Sequence, residues 1–217
     1  MDWGFIARYA PYYVLAAQVT LLISLSGIAV SVLVGILCSM VRHARIPVLR
    51  QVAAAYVELS RNTPLLVQLF FLYFGLPKLG IVWSPEACAI VGLGFLGGSY
   101  MAESFRSGLD SVASSQADAA SVLGMTRVQS LRHVILPQAL AVAVPGIVAN
   151  VIFLVKESSV VSGIALADLM YLAKDLIGLY YDTTEALALL VVAYATILLP
   201  ISLLGTLLER RLDHARR

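Results

Sequence analysis

Long apolar stretches separated by short polar ones set the plan of this chain. The stretches cover residues 13–40, 52–76, 85–107, 139–161 and 184–208. Each reaches the roughly 20 residues that a helix needs to cross a bilayer core. Their apolar residues run on without alternating, which predicts helices and argues against a membrane β-barrel. The expected fold is therefore an all-α membrane protein of five transmembrane helices in a single domain, 1–217.

The polar interval at about 110–137 has its own punctuation. Ser115 with Asp118 three residues on matches a capping box in outline. The acid suits the positive end of a helix dipole. Ala119, Ala120, Val122 and Leu123 then form a small, mostly apolar face, and Gly124 fits a left-handed C-terminal cap. Thr126 with Gln129 repeats the capping pattern for a second short helix, which Pro137 is expected to end before the next span begins. Two short helices with a hinge at Gly124 suit insertion into a groove on another protein. They equally suit an amphipathic loop lying on the membrane.

Composition agrees. The chain is 60% hydrophobic and only 13% charged, with a mean hydropathy of +0.88; a soluble domain carries about a quarter of its residues as charged groups. Asp2 and the lack of a basic N-terminal region speak against a cleavable signal peptide. Cys38 and Cys88 fall near opposite ends of their spans and are expected to stay unpaired.

Arginine distribution sets the orientation. Arg42, Arg45 and Arg50 follow the first span, Arg106, Arg127 and Arg132 flank the long loop, and Arg210, Arg211, Arg216 and Arg217 follow the last span. The other faces carry Arg8, Lys78 and Lys174. The positive-inside rule puts the N-terminus outside and the C-terminus and the Asp118 loop in the cytoplasm. Gly27, Ser31 and Gly35, and likewise Gly94 and Gly98, recur at a spacing that lets membrane helices approach closely, without naming their partners.

Four further blocks carry a family resemblance. Glu58-Leu59-Ser60-Arg61-Asn62-Thr63-Pro64-Leu65-Leu66-Val67-Gln68-Leu69 resembles the E-x-x-R-x-T-P-L-L-V-Q-L segment of the polar amino acid permeases of ABC importers, the histidine, glutamine and arginine branch. Ser99-Tyr100-Met101-Ala102-Glu103-Ser104-Phe105-Arg106-Ser107-Gly108 resembles that branch's A-Y-x-A-E-x-x-R-x-G. Leu136-Pro137-Gln138-Ala139 is similar to its L-P-Q-A, and Lys156-Glu157-Ser158-Ser159 to its K-[DE]-[ST]-S. The loop Gln116-Ala117-Asp118-Ala119-Ala120 through Gly124 to Pro137 resembles the family's E-A-A…G…I-x-L-P coupling loop. Asp118 stands where the family usually has Glu, and Phe95-Leu96-Gly97-Gly98 where many members have L-N-x-A.

The resemblance implies a type I ABC importer permease in the bacterial inner membrane. A cytoplasmic ATPase dimer would grip Gln116, Asp118, Ala119, Ala120, Gly124 and Pro137 and would bind the ATP and Mg. The chain itself would hold no cofactor. A second permease subunit, the same or related, would complete the pathway, and an extracytoplasmic binding protein would deliver a polar amino acid. A stand-alone secondary transporter or channel is the alternative.

Ionisable residues within spans are costly and default to functional roles. Glu58 and Arg61 share a helix face near the expected cytoplasmic end of the second span, as a structural pair, a gate brace or a substrate contact. Glu103 is expected to pair with Arg61 or Arg106, or to serve the gate. Lys156 and Glu157, with Asn150, Ser158 and Ser159 nearby, offer an acceptor for an ammonium and donors for a carboxylate. A mutual Lys156–Glu157 pair is the plainer reading. Gly97, Gly98 and Tyr100 would leave room and an aromatic surface beside them. The outer segment 168–185, with Lys174, Asp175, Tyr180, Tyr181 and Asp182, suits an interfacial belt; by the resemblance, it also suits contact with the binding protein.

Other classes are excluded by what the sequence lacks. There is no G-x-x-x-x-G-K-[ST] phosphate loop, so ATP hydrolysis is not expected of this chain, which is no enzyme. There is no metal motif, and His43, His133 and His214 are scattered in basic segments. The basic residues are explained by topology and membrane lipid, and no nucleic acid is implied.

Overall fold

The computed structural model describes residues 2–43 and 47–214. Arg45, Arg216 and Arg217, used in the charge argument, lie outside the described residues, as do the side chains of His43 and His214. Four helical runs are long and apolar enough to cross a membrane: Trp3–Arg42, Pro85–Asp110, Arg127–Ile164 and Thr183–Leu212. The second stretch, expected as one span over 52–76, is instead broken.

Helix α1 (Trp3–His43) starts well before the expected residue 13. The Asp2 carboxylate caps it by accepting hydrogen bonds from the backbone N–H groups of Gly4 (2.7 Å) and Phe5 (3.2 Å). The added turns bury Phe5, Tyr9 and Tyr13 against the outer segment, and the Tyr13 hydroxyl donates to the Ala186 carbonyl at 2.8 Å.

The break in the second stretch separates α2 (Pro47–Arg61) from α3 (Leu65–Phe70), which continues through wider and tighter turns to Leu79. Pro64 disfavours the helical conformation at the residue before it. Open backbone inside a membrane is tolerated only where its polar groups find partners. Here side chains supply them. Asn62 donates to the Glu58 carbonyl (2.7 Å) and Thr63 to the Leu59 carbonyl (2.6 Å). Gln68 reaches back to the carbonyls of Ser60 (3.2 Å) and Thr63 (3.0 Å). Arg61 thus ends a helix about 21 Å along from Pro47 at 1.5 Å per residue.

Helix α4 (Pro85–Asp110) is the most buried of the four long runs and packs along α1, α2 and α7 (Leu136–Glu157). Lipid tails are as apolar as the side chains, so close backbone contact rather than water exclusion drives such crossings. The two small-residue stripes meet each other. A side chain at Gly27 would meet Leu93, one at Gly35 would meet Met101, and one at Gly94 would meet Val30. The Ser31 hydroxyl donates to the Gly27 carbonyl and reaches the Leu93 carbonyl across the crossing. Further along, Gly108 lies against the Ala139 carbonyl and the Ala143 side chain, a close α4–α7 approach. Cys38 and Cys88 are free thiols.

Between α4 and α7 lie α5 (Ser114–Val122) and α6 (Arg127–Ser130). Beyond α7 a tight helical segment, Ser158–Ile164, leads to α8 (Leu169–Tyr180) and then α9 (Thr183–His214). Helix α8 was not foreseen. Its signals were Asp168 as a cap, accepting from the Tyr171 N–H at 2.8 Å, and an apolar face that buries Leu169, Ala173 and Leu176.

Candidate functional site

The break after α2, the middle of α4 and the end of α7 line an open cavity of about 400 Å³. Arg61, Asn62 and Thr63 come from the break, Tyr100 from α4, and Phe153 and Glu157 from α7. Arg61 and Glu157 therefore face one space. Among the described residues neither is in an ion pair. The Arg61 guanidinium instead lies over the Tyr100 ring, 5.2 Å from its centroid, and that ring is backed by Phe153 at 5.2 Å. A guanidinium over a ring gains about 0.5–2 kcal/mol, less than a bidentate carboxylate would give it. One cation and one anion across a small space match the two ends of a zwitterion.

A second cavity of about 550 Å³ lies on the other side of Arg61 and Tyr100. It is lined by Glu103, Ser104, Arg106 and Asn150, and the Asn150 amide donates to the Ser104 hydroxyl at 2.9 Å. Its charges are already engaged. Glu103 bridges Arg42 (2.6 Å) and Arg106 (2.7 Å), and Arg106 also binds Asp110 (2.7 Å). This cluster ties the end of α1 to the end of α4. Glu103 thus pairs with Arg106 as one expectation had it, but with Arg42 rather than Arg61.

The remaining residues singled out in the sequence fall in different places. Glu58 accepts from Asn62 and forms no ion pair with Arg61 among the described residues. Lys156 is exposed and lines neither cavity, and no pair joins it to Glu157 among the described residues. Gly97 and Gly98 are buried in helix crossings, where added side chains would meet Ser31 and Leu154, and Tyr56 and Val34. Within this chain they make room for helices. Ser158 is buried and donates to the Val155 carbonyl, while Ser159 is half-buried. Asn62, Thr63, Phe153, Ser104 and Arg42 join the sites without having been singled out as site residues. The Thr63-Pro64 break was the available signal for the first two.

The loop between α4 and α7 is exposed. Helix α5 starts at Ser114, two residues earlier than a Ser115 cap implies, and no side chain caps it, so Ser115 is not the cap. Asp118 then lies beyond the first turn, exposed and in no ion pair among the described residues. At the other end Gly124 adopts φ +75° with its N–H on the Ser121 carbonyl, while the Met125 N–H closes on the Ala120 carbonyl. Thr126 and Gln129 form a complete capping box. Ala120 is buried under the following turn, but Val122, Leu123 and Val128 are 87%, 77% and 74% exposed. Gln116, Ala119 and Pro137 are exposed as well. Pro137 does not end a separate helix. A wider turn over Leu131–Ile135, closed by the Leu136 N–H on the Leu131 carbonyl, absorbs the missing proline donor, so helix runs on from Arg127 to Ile164.

On the outer segment Asp168 is 1% exposed. Its Oδ1 caps α8, and its Oδ2 has no partner among the described residues. Burial pushes the carboxyl up to about 6, against the pull of the Tyr171 and Met170 N–H groups and the Lys174 charge. Tyr180 packs on Tyr9, while Tyr181 is exposed.

Comparison with known proteins gives these arrangements a context. The sequence pattern of the family described as "Binding-protein-dependent transport system inner membrane component" matches residues 27–217. The "Probable amino-acid permease protein YxeN" of Bacillus subtilis is 32% identical over all of this chain and 98% of its own length. The "Probable glutamine ABC transporter permease protein GlnP" of the same organism is 38% identical over 74% of this chain and 73% of its own. Among solved structures, a chain of an amino acid ABC transporter with histidines superposes with a TM-score of 0.89 at 32% identity, covering 97% of this chain and 99% of that one. A chain of the MetNI methionine ABC transporter, inward facing, superposes with a TM-score of 0.73 at 21% identity over 98% of this chain and 99% of its own, a likeness of fold.

Proposed function

Because this chain belongs to the family of binding-protein-dependent transport system inner membrane components, as an amino-acid ABC permease, we propose that it forms half of an ATP-driven amino-acid import pathway. A second permease subunit, the same or related, supplies the other half. A cytoplasmic ATPase dimer binds ATP and Mg and grips the loop from Gln116 to Gly124. An extracytoplasmic binding protein delivers substrate to the opposite face. The arginine bias supports an N-terminus outside and a C-terminus inside.

The observation that carries this reading is the loop. Val122, Leu123 and Val128 are large apolar side chains held outward by two capped helices, outside the long apolar stretch of α7. Apolar groups presented on a fixed scaffold suit a protein groove. A stand-alone channel or secondary transporter would leave them without an occupant.

Arg61 and Glu157 support an amino acid as cargo. The α-carboxylate pairs with Arg61 and the α-ammonium with Glu157, and charge-assisted bonds of this kind are strong where water is scarce. The names of the relatives make glutamine a first candidate. The test is reconstitution in liposomes with the ATPase and binding protein, with ATP-dependent uptake of each standard amino acid as the readout. Uptake by this chain without the ATPase would reject the reading.

A further inference from the structure

Asp168 lies outside both cavities. Its Oδ1 accepts from the Tyr171 N–H, while its Oδ2 is closed to solvent, with no partner among the described residues and no space beside it for a water molecule. A buried charge needs a counter-charge, a bound ion or a proton.

The surroundings leave the proton. Helix α1, whose Thr20 hydroxyl accepts from the Leu169 N–H at 3.2 Å, carries no charge between Arg8 and Arg42. The segment 158–167 has no ionisable side chain. Helix α9 brings Tyr194 within reach of the carboxyl, and that hydroxyl is likewise closed off without a partner among the described residues. Glu185 of α9 is bound to the Asp2 N–H at 2.8 Å. At the end of α7, Glu157 lines the Arg61 cavity and Lys156 is exposed. On α8 itself Lys174 and Asp175 are exposed, and the Lys174 charge acts from there against the effect of burial. We propose that Asp168 is a proton latch: its neutral form holds α8 against α1 and α9, and its ionised form releases α8.

Helix α8 is the element placed to move. Among the described residues, the non-glycine positions with left-handed backbone are Ala165 (φ 59°) and Tyr181 (φ 61°), and they stand on either side of this helix. That conformation is disfavoured for residues with a side chain, so both turns hold strain that the packing of α8 maintains. The packing consists of Leu169, Ala173 and Leu176 on its buried face and the Thr20 tie at its first turn. Ala165 and Ala167 are exposed beside buried Asp168. The carboxyl therefore lies close under the surface, and lifting the first turn of α8 wets it.

Burial raises this carboxyl from 3.8 to about 6, so the proton is held more tightly with α8 closed than with α8 open. Opening is least favoured below pH 3.8, grows about tenfold per pH unit above it and levels off past about pH 6, about 100-fold in all.

Hydrogen–deuterium exchange of the intact permease in lipid nanodiscs tests the latch, at about pH 4.5 and about pH 7, corrected for the pH dependence of the chemical exchange rate. Peptides from α8 are expected to lose protection about 20-fold between the two, while peptides over 93–102 of α4 keep theirs. Asp168→Asn keeps a capping oxygen and cannot ionise, so α8 is expected to hold the wild-type low-pH protection at both values. Asp175→Asn, on an exposed position of the same helix, is expected to follow wild type. Protection of α8 that does not change with pH in the wild type overturns the latch, and that result needs no variant. So does the same change surviving in Asp168→Asn, its disappearance in Asp175→Asn, or an equal loss in α4, which would be opening of the whole fold.

Discussion

Two groups of charges sit within a few turns of each other on α4 and its neighbours, and they behave in opposite ways. Arg42, Glu103, Arg106 and Asp110 are closed on one another by bonds of 2.6–2.7 Å. Arg61 and Glu157 face a common cavity and remain apart. The first group braces two helix ends and has no valence left for a ligand. Among the described residues, the second keeps both of its charges out of any ion pair. An arrangement that leaves opposite charges unpaired across a small space makes sense when something else pairs them. The exposed Asp118 is a third open charge, on the loop rather than in the pathway.

The strongest way to break this contrast is to damage an open site without touching stability. Gly124→Arg should abolish ATP-driven uptake and ATPase association while insertion and yield stay normal. Its φ of +75° disfavours any side chain, and the bulk blocks the apolar surface beside it. Wild-type uptake in that variant would end the docking proposal. Next, Glu157→Gln should weaken amino-acid binding about 10- to 100-fold, the loss of one bond to a charged group, with the melting temperature unchanged. Equilibrium dialysis and a thermal melt on the same sample check both halves. A lowered melting temperature with intact binding would move Glu157 into the closed group.

Asp168 is an intermediate case, one oxygen bonded and one open. A carboxyl raised from 3.8 to about 6 binds its proton more tightly in the fold than in the unfolded chain. The contribution of this carboxyl to stability is then largest below pH 3.8, falls as pH rises, and is smaller by about 3 kcal/mol once pH passes the folded value. Asp168→Asn should flatten that decline. Parallel unfolding curves for the two proteins from about pH 4 to 8 would show that the open oxygen costs nothing. The smallest effect belongs to the closed group. Glu103→Ala leaves Arg42 and Arg106 without their shared acid and should lower stability by about 1–2 kcal/mol, several degrees in a melt, with little change in ligand binding. An unchanged melt would mean that the cluster braces nothing.

The sequence made some of this legible. Spans one, three, four and five, the Gly124 cap and the Thr126–Gln129 box follow from local rules, because the residues concerned are neighbours along the chain. The small-residue stripes on α1 and α4 were visible, but that they pack on each other was not. The break at Thr63-Pro64 was marked by its proline. Hydropathy continues smoothly across it, and three side chains satisfy the open backbone. Arg61 and Glu157 lie far apart in the chain and meet only in three dimensions, so Lys156, the immediate neighbour, looked the better partner. Helix α5 begins two residues before the start that a Ser115 cap implies, with Ala113 at its N-cap and no side-chain bond there.

The unbroken helical run from Arg127 to Ile164 has a mechanical corollary. One end abuts the exposed loop, and the other carries Glu157. A close approach to α4 comes in between, where Ala139 and Ala143 lie on Gly108. A pivot at that contact would make it a fulcrum. At 1.5 Å per residue the arm from Ala143 to Glu157 is about 21 Å, so a tilt of about 10° swings the carboxylate some 4 Å. That is more than the length of a hydrogen bond, and enough to hand an ion over or let it go.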